Sequence, residues 1–277
     1  MAQCPTVKDL LTYLDEIASV ALAEVWDNVG LMVGNLGHRI SGILIALDPT
    51  AEVLAETIDR GANVLVTHHP LIFHPLKTVN TDSPVGRFLQ LAMAHEIAVV
   101  SLHTNLDQAS GGVNDVLATA LGLQQVRPLV LKPGFQGMGN GVGFGRIGHL
   151  ADILDGSQFL RRLAEVLALP VLAVAGQLPA TIRTVALCGG SGSDFAETAH
   201  AEGAQVYITG EVKHSTARWA EASGFCVVDA GHFATEYPVV PALEALLQQA
   251  SKEKDWGVAV GAAENQKSPF AFHRLAD

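Results

Sequence analysis

Five side chains of types that bind metal ions sit in three short blocks of this sequence: His68 and His69, Asp107, and His232 with Glu236. Each block follows a run of β-branched residues, so each sits where a buried strand ends and a loop begins, the edge of a parallel sheet that carries functional groups. Imidazole with carboxylate is the ligand set of zinc, iron or manganese, and it differs from the all-oxygen set of calcium and the thiolate set of copper. Adjacent residues of a regular strand point to opposite faces. His68 and His69 can therefore share a compact site only if the chain turns as it leaves the strand, which Pro70 favours. Two neighbouring ions would use both rings. Two carboxylates brought together need compensating cations, so the convergence of Asp107 and Glu236 with several imidazoles points to divalent metal. The bland reading, a structural histidine or a local ion pair at the His-x-x-x-acid spacing, suits any one block better than it suits all three.

Other motifs carry less. His103, four residues before Asp107, and His214, in Gly210-Glu211-Val212-Lys213-His214, are read as candidate proton carriers because imidazole titrates near neutral pH. His74, His95, His149 and His200 have no comparable setting and are read as surface or structural residues. Gly189-Gly190-Ser191-Gly192-Ser193-Asp194 lacks the Lys-Ser/Thr ending of a phosphate-binding loop, and a tight turn before a helix accounts for it. There is no Gly-x-Ser-x-Gly elbow, and Gly141-x-Gly143-x-Gly145 lacks the helix-opening context of a dinucleotide fold.

Strands and helices in alternation must position these residues. Gly42–Leu47, Asn63–Thr67 and Ile97–Ser101 read as buried strands, and the helical spacing of Thr50–Arg60 and Pro84–Glu96 makes them crossover helices. The expected class is α/β, with mostly parallel sheets. The order of elements then returns. Ile43-Leu44-Ile45 lies on Val185-Ala186-Leu187, and Gly61 to Thr67 lies on Gly203 to Thr209. Next, Val99-Val100 leads to His103-x-x-x-Asp107 as Val227-Val228 leads to His232-x-x-x-Glu236, which indicates an internal duplication. The halves are taken as residues 1–130, completed by a C-terminal segment, and residues 131–277, with the metal cleft between them. Gly137 to Gly148 is too rich in glycine for a helix and reads as turns around a strand. The tail from Ser251 offers no recognisable chemistry.

Composition narrows the class. A chain of 277 residues, 49% hydrophobic, can bury a large core. Its three cysteines, Cys4, Cys188 and Cys226, form no C-x-x-C pair, and the last two read as core residues. A formal charge of -11 argues against nucleic-acid binding. With no long apolar run and an acidic start, the chain is expected in the cytoplasm and not in a membrane.

Several blocks, in order, resemble the NIF-three-like family, whose bacterial members are often named GTP cyclohydrolase I type 2 homologs. They are Trp26-Asp27-Asn28-Val29-Gly30-Leu31, Thr67-His68-His69-Pro70-Leu71-Ile72-Phe73, Ser101 to Asp107, Gly210 to His214 and Asp229 to Glu236. The resemblance implies a duplicated α/β fold, a ring-shaped homohexamer and two metals in a cleft. It assigns His69 and Asp107 to one ion, His68 and His232 to the other, and Glu236 to both. It also places His103 beside the site and Trp26, Asp27 and Asn28 at its approach. Too few residues separate the halves to hold the inserted domain of some relatives, so the short form is implied. The expected function is two-metal hydrolysis of a small molecule, a nucleotide or related cyclic amide or phosphoester. The rival is a non-enzymatic ring protein in which metal has a structural or sensing role.

Overall fold

The computed structural model describes residues 4–135 and 141–271. In the first half of the chain, α1 (Val7–Ile17) and β1 (Gly30–Val33) precede β2 (Gly42–Ala46), α2 (Ala51–Asp59), β3 (Val64–Thr67), α3 (Pro84–Ala94) and β4 (Ala98–Ser101). Two helices, α4 (Thr104–Gln108) and α5 (Val113–Ala120), and two strands, β5 (Leu123–Leu131) and β6 (Gly143–Asp155), lead to the second half. That half contains α6 (Gly156–Val166), β7 (Ala173–Ala175), β8 (Thr181–Cys188), α7 (Ala196–Ala201), β9 (Val206–Thr209), α8 (His214–Ser223) and β10 (Cys226–Asp229). It ends with α9 (His232–Glu236), α10 (Val239–Glu253) and β11 (Ala259–Ala262).

Two sheets result, ordered β1-β4-β3-β2-β11 and β5-β6-β8-β9-β10-β7. Strands β11, β2, β3 and β4 run parallel, as do β8, β9 and β10. The side chains of β2, β3, β4 and β9 are buried on both faces, as parallel strands covered by helices require, whereas the edge strand β11 is only partly buried. Within β2, Ile43 and Ile45 pack toward α1 and α10, while Leu44 and Ala46 pack toward α2 and α3. In the second sheet, Val185 and Leu187 face α5 and α6, whereas Ala186 and Cys188 face α7 and α8. Cys188 and Cys226 are buried, as expected of core residues. The expected crossover helices are α2 and α3: Thr50 and Ser83 cap their N-termini, and Gly61, at φ +66°, ends the first. Strand β6 starts at Gly143, inside the glycine-rich section, and residues 136–140 lie outside the described set.

The duplication extends further than the sequence overlay. Ile43 pairs with Val64 as Val185 pairs with Val206, and Val64 with Ala98 as Val206 with Cys226. An antiparallel edge strand completes each set: Gly30 lies opposite Ser101, and Ala173 opposite Asp229. Counting on from Ser101 and Asp229, both α4 and α9 begin three residues later, so Thr104 corresponds to His232 and Gln108 to Glu236. The overlay of His103 on His232 is thus one residue out of register; His103 matches Gly231.

The last helix and strand of each repeat cross to the other sheet. Leu117 of α5 and Leu121 just after it pack in the second core and β5 joins the second sheet, so by sheet membership the change of half comes ahead of residue 130. Conversely, α10 packs Val240, Leu243 and Leu247 against the first sheet, and β11 lies beside β2. The tail from Ser251 is therefore structural. Glu56 accepts the backbone N–H groups of Glu264 and Asn265, and Gln266 accepts Leu47 N–H at 2.6 Å.

Arg146 of β6 fastens the crossing. Its guanidinium is buried and donates to the carbonyls of Gly143, Gly145 and Ala109, and it pairs with Asp115 on α5. We predict that Arg146→Met, which keeps most of the volume but leaves Asp115 without its cation, destabilises the fold by about 3 kcal/mol, the low end expected because Asp115 retains some water contact. Urea unfolding measures this, and an unchanged midpoint contradicts the fastening role.

Candidate metal centre

The strands' carboxyl ends bring the five expected ligands together. His68 and His69 follow β3 directly, Asp107 lies in α4 beyond β4, and His232 and Glu236 are the first and last residues of α9 beyond β10. Two ligand-sized groups share Glu236: His69, His232 and Glu236 form one, and His68, Asp107 and Glu236 the other, each with candidate donor atoms within 4.8 Å of one another. The grouping differs from the pairing implied by the resemblance, with His68 nearer Asp107 and His69 nearer His232.

Each imidazole has one nitrogen committed outward. His68 Nδ1 is 2.8 Å from the Leu102 carbonyl, His69 Nδ1 is 2.7 Å from Asp48 Oδ1, and His232 Nδ1 is 2.9 Å from Glu211 Oε1. A carbonyl can only accept, so His68 donates through Nδ1 and turns the lone pair of Nε2 inward, the arrangement that orients metal-binding histidines. His68 Nε2 lies 3.6 Å from Asp107 Oδ1 and 3.6 Å from Glu236 Oε1, too far to hydrogen-bond. Glu236 Oε2 is 3.1 Å from His69 Nε2 and 3.0 Å from His232 Nε2, but neither contact is directed as a hydrogen bond. Hence His68 Nε2, Asp107 Oδ1 and Glu236 Oε2 are buried without hydrogen-bond partners. Buried polar atoms are almost always paired, and three orphaned lone pairs converging on one place fit a bound cation. These residues could hold a metal ion.

Electrostatics express the same need. Burial pushes the Asp107 carboxyl up to about 7, with the Glu236 charge adding to the shift and His68 opposing it. Burial also disfavours a charged Glu236, yet the surrounding histidines hold its carboxyl well below the usual range. For His69, burial favours the neutral ring, but Asp48 and Glu236 outweigh it and raise its pKa to about 10; His232, beside Glu236 and Glu211, is raised to about 9. In the metal-free protein, protons stand in for cations.

Gly190, in the loop after β8, closes one side. A Cβ there would meet Glu236 Oε1 at 2.0 Å, and φ is +64°. The glycine-rich loop thus makes room for the shared carboxylate, a role its sequence did not announce; Gly189 N–H donates to Asn114 Oδ1, and Gly190 N–H to Thr235 Oγ1. His103, preceding α4, offers a ligand-type nitrogen within 4.8 Å of those of His68 and His69. Its Nδ1 is 2.8 Å from Oδ1 of Asp27, whose carboxyl is held down to about 2 against its burial by His103 and Thr104. His214 is exposed at the start of α8 and belongs to none of the ligand-sized groups. His74, His95 and His200 are exposed, and His149 is half-buried against Thr184. Sequence reasoning missed Asp48 and passed over Glu211, the acids that orient His69 and His232; their position two residues beyond β2 and β9 was the available signal.

Fold and site define an α/β protein with a candidate metal centre where two repeats meet. A profile of the Duf34/NIF3 (NGG1p interacting factor 3) family matches residues 5–269, and the chain belongs to that family. A Streptomyces coelicolor protein named GTP cyclohydrolase 1 type 2 homolog is 35% identical over 97% of this chain and 95% of its own. A Clostridium perfringens protein of the same name is 33% identical over 96% of this chain and 99% of its own. A Bacillus subtilis relative needs 373 aligned positions to span 98% of this chain, so it carries an insertion that this short form lacks. Among solved structures, a Bacillus cereus protein related to NIF3 superposes with a TM-score of 0.91 at 27% identity, over 98% of this chain and 100% of the other. Among the described residues, no helix is long and apolar enough to cross a membrane.

Two predictions follow from the geometry. Metal must displace protons from His69 and His232 and, below about pH 7, from Asp107, so metal affinity should climb from pH 6 to 9 and weaken as pH falls. Zinc added to metal-free protein at pH 7 in weak buffer should release protons, read with an indicator dye; uptake without release contradicts the assigned protonation. Gly190→Ala should displace Glu236 and reduce bound metal at least tenfold in equilibrium dialysis against zinc.

Proposed function

We propose that the protein is a dinuclear metal-dependent hydrolase of the GTP cyclohydrolase 1 type 2 homolog kind. Its substrate would be a nucleotide or a related cyclic amide or phosphoester. The observation that carries this reading is the set of buried atoms without hydrogen-bond partners, His68 Nε2, Asp107 Oδ1 and Glu236 Oε2, which belong to adjoining ligand-sized groups. His69, His232 and Glu236 would hold one divalent ion, His68, Asp107 and Glu236 the other, with zinc, iron or manganese suited to the donors. Such ions supply a water of lowered pKa and polarise the substrate's oxygen or ring carbon.

The chain's residues do the rest. Asp27 accepts from His103 Nδ1, which fixes the tautomer and leaves Nε2 free to take a proton from the nucleophile and return it to the leaving group. Asp48 and Glu211 keep the His69 and His232 rings in place. His214, exposed on α8, is the weaker candidate for a proton carrier. The family resemblance supports a homohexamer, and the sequence's lack of a long apolar run supports a place in the cytoplasm; light scattering and fractionation examine the two.

Elemental analysis of purified protein should find about two ions per chain. His68→Ala and Glu236→Ala should each lower that content, whereas His149→Ala should not. A hydrolysis screen over nucleotides, cyclic amides and phosphoesters should find turnover that disappears with chelator. Unchanged metal in both ligand variants refutes the site, and bound metal without turnover favours a structural or sensing role.

A further inference from the structure

From the structure we infer that Trp26 and Phe73 form a stacking wall at the mouth of the metal cluster, and that the substrate presents a planar, unsaturated ring to it. The inference deepens the hydrolase reading and rests on it for the word substrate. Trp26 is 60% exposed and Phe73 39% exposed, so two large aromatic groups stand open beside a buried polar cluster. Single exposed apolar residues are ordinary, but these two belong to a connected series. Their ring centroids are 5.9 Å apart, edge to face, and lie 6.5 and 6.0 Å from the ring of His103. His103 in turn lies 5.3 Å from His68 and 5.7 Å from His69. One imidazole therefore separates the wall from the cluster.

The wall is also built rigidly. Asn28 Nδ2 donates to the Ile72 carbonyl at 2.6 Å, tying the segment that carries Trp26 to the one that carries Phe73. Asp27, between Trp26 and Asn28, is anchored to Thr104 N–H and to His103. Its carboxylate is turned inward and wholly buried, so it gives the outer wall no charge. Fixed, uncharged aromatic faces recognise the π-face of a ring with little regard to its substituents. With the cluster one imidazole beyond, a ring held on the wall keeps the rest of the substrate within reach of the cluster.

Uridine and 5,6-dihydrouridine separate planarity from composition, since they differ only by saturation of one ring bond, and guanosine adds a larger planar face. Equilibrium dialysis of the full-length protein at millimolar nucleoside should show uridine and guanosine binding about tenfold more tightly than dihydrouridine. Trp26→Ala should weaken the planar ligands about tenfold and erase the preference, while Trp26→Phe should keep most of both. Equal binding of uridine and dihydrouridine, no binding of any planar probe, or binding unaffected in Trp26→Ala and Trp26→Phe overturns the wall. Loss of self-association in folded Trp26→Ala, seen by light scattering, also overturns it, because a second copy would then cover the rings. The same dialysis with His68→Ala keeps the two readings apart. Planar preference that survives loss of metal and turnover leaves the wall standing without the hydrolase; turnover with unchanged KM in Trp26→Ala leaves the hydrolase without the wall.

Discussion

Glu236 is a carboxylate buried at the junction of two repeats with imidazoles on either side, and most local choices of residue serve it. An ionised carboxyl out of water is unstable unless cations or donors compensate it. The metal-free protein meets that demand by keeping His69 and His232 protonated and by pushing Asp107 toward its neutral form. That solution is incomplete, for three ligand atoms still lack partners. A divalent ion would answer every part of the demand at once.

The duplication explains how a repeated fold yields an asymmetric site. Equivalent positions, counted from matching strand registers, take complementary parts. His68 corresponds to Gly210, His69 to Glu211, Asp48 to Gly190, and Thr104 to His232. Where the first repeat offers His69, the second offers Glu211, an acid that orients the His232 ring; where the first offers Asp48, the second offers Gly190, which leaves room for Glu236. Gly190 shows the consequence most sharply: an aspartate there, as in the first repeat, would occupy the volume of the Glu236 carboxylate. Two identical halves would crowd the cleft with side chains of one kind.

Much of this was legible in the sequence because strands and ligands announce themselves by type and spacing. The β-branched runs located β2, β3 and β4, and histidines and acids at their exits located the cluster. Registers between repeats were less legible. His103 and His232 share a spacing to an acid but differ by one position in the fold, since spacing along a chain says nothing about which residue begins the helix. Asp48 and Glu211 were hidden because an acid two residues after a strand is common, and only the direction of the His69 and His232 rings gives them a purpose. The glycine loop after β8 looked like a turn; its close approach to Glu236 comes from packing between residues 46 positions apart in the chain, which no local pattern encodes.

The crossing of α5–β5 and α10–β11 fixes the distances within the cluster. Each candidate acid ligand sits on a five-residue helix, too short to hold its own position. A few residues beyond Asp107 and Glu236, the chain enters α5 and α10, which pack apolar side chains against the sheet of the other repeat. The carboxylates are thus set by core packing from both sides, and Arg146 joins the α4–α5 segment to β6 through Ala109 and Asp115. Separating the sheets would expose both cores and disorder the ligands together. A site whose members come from two halves is held, in this molecule, by the same contacts that prevent the halves from folding apart.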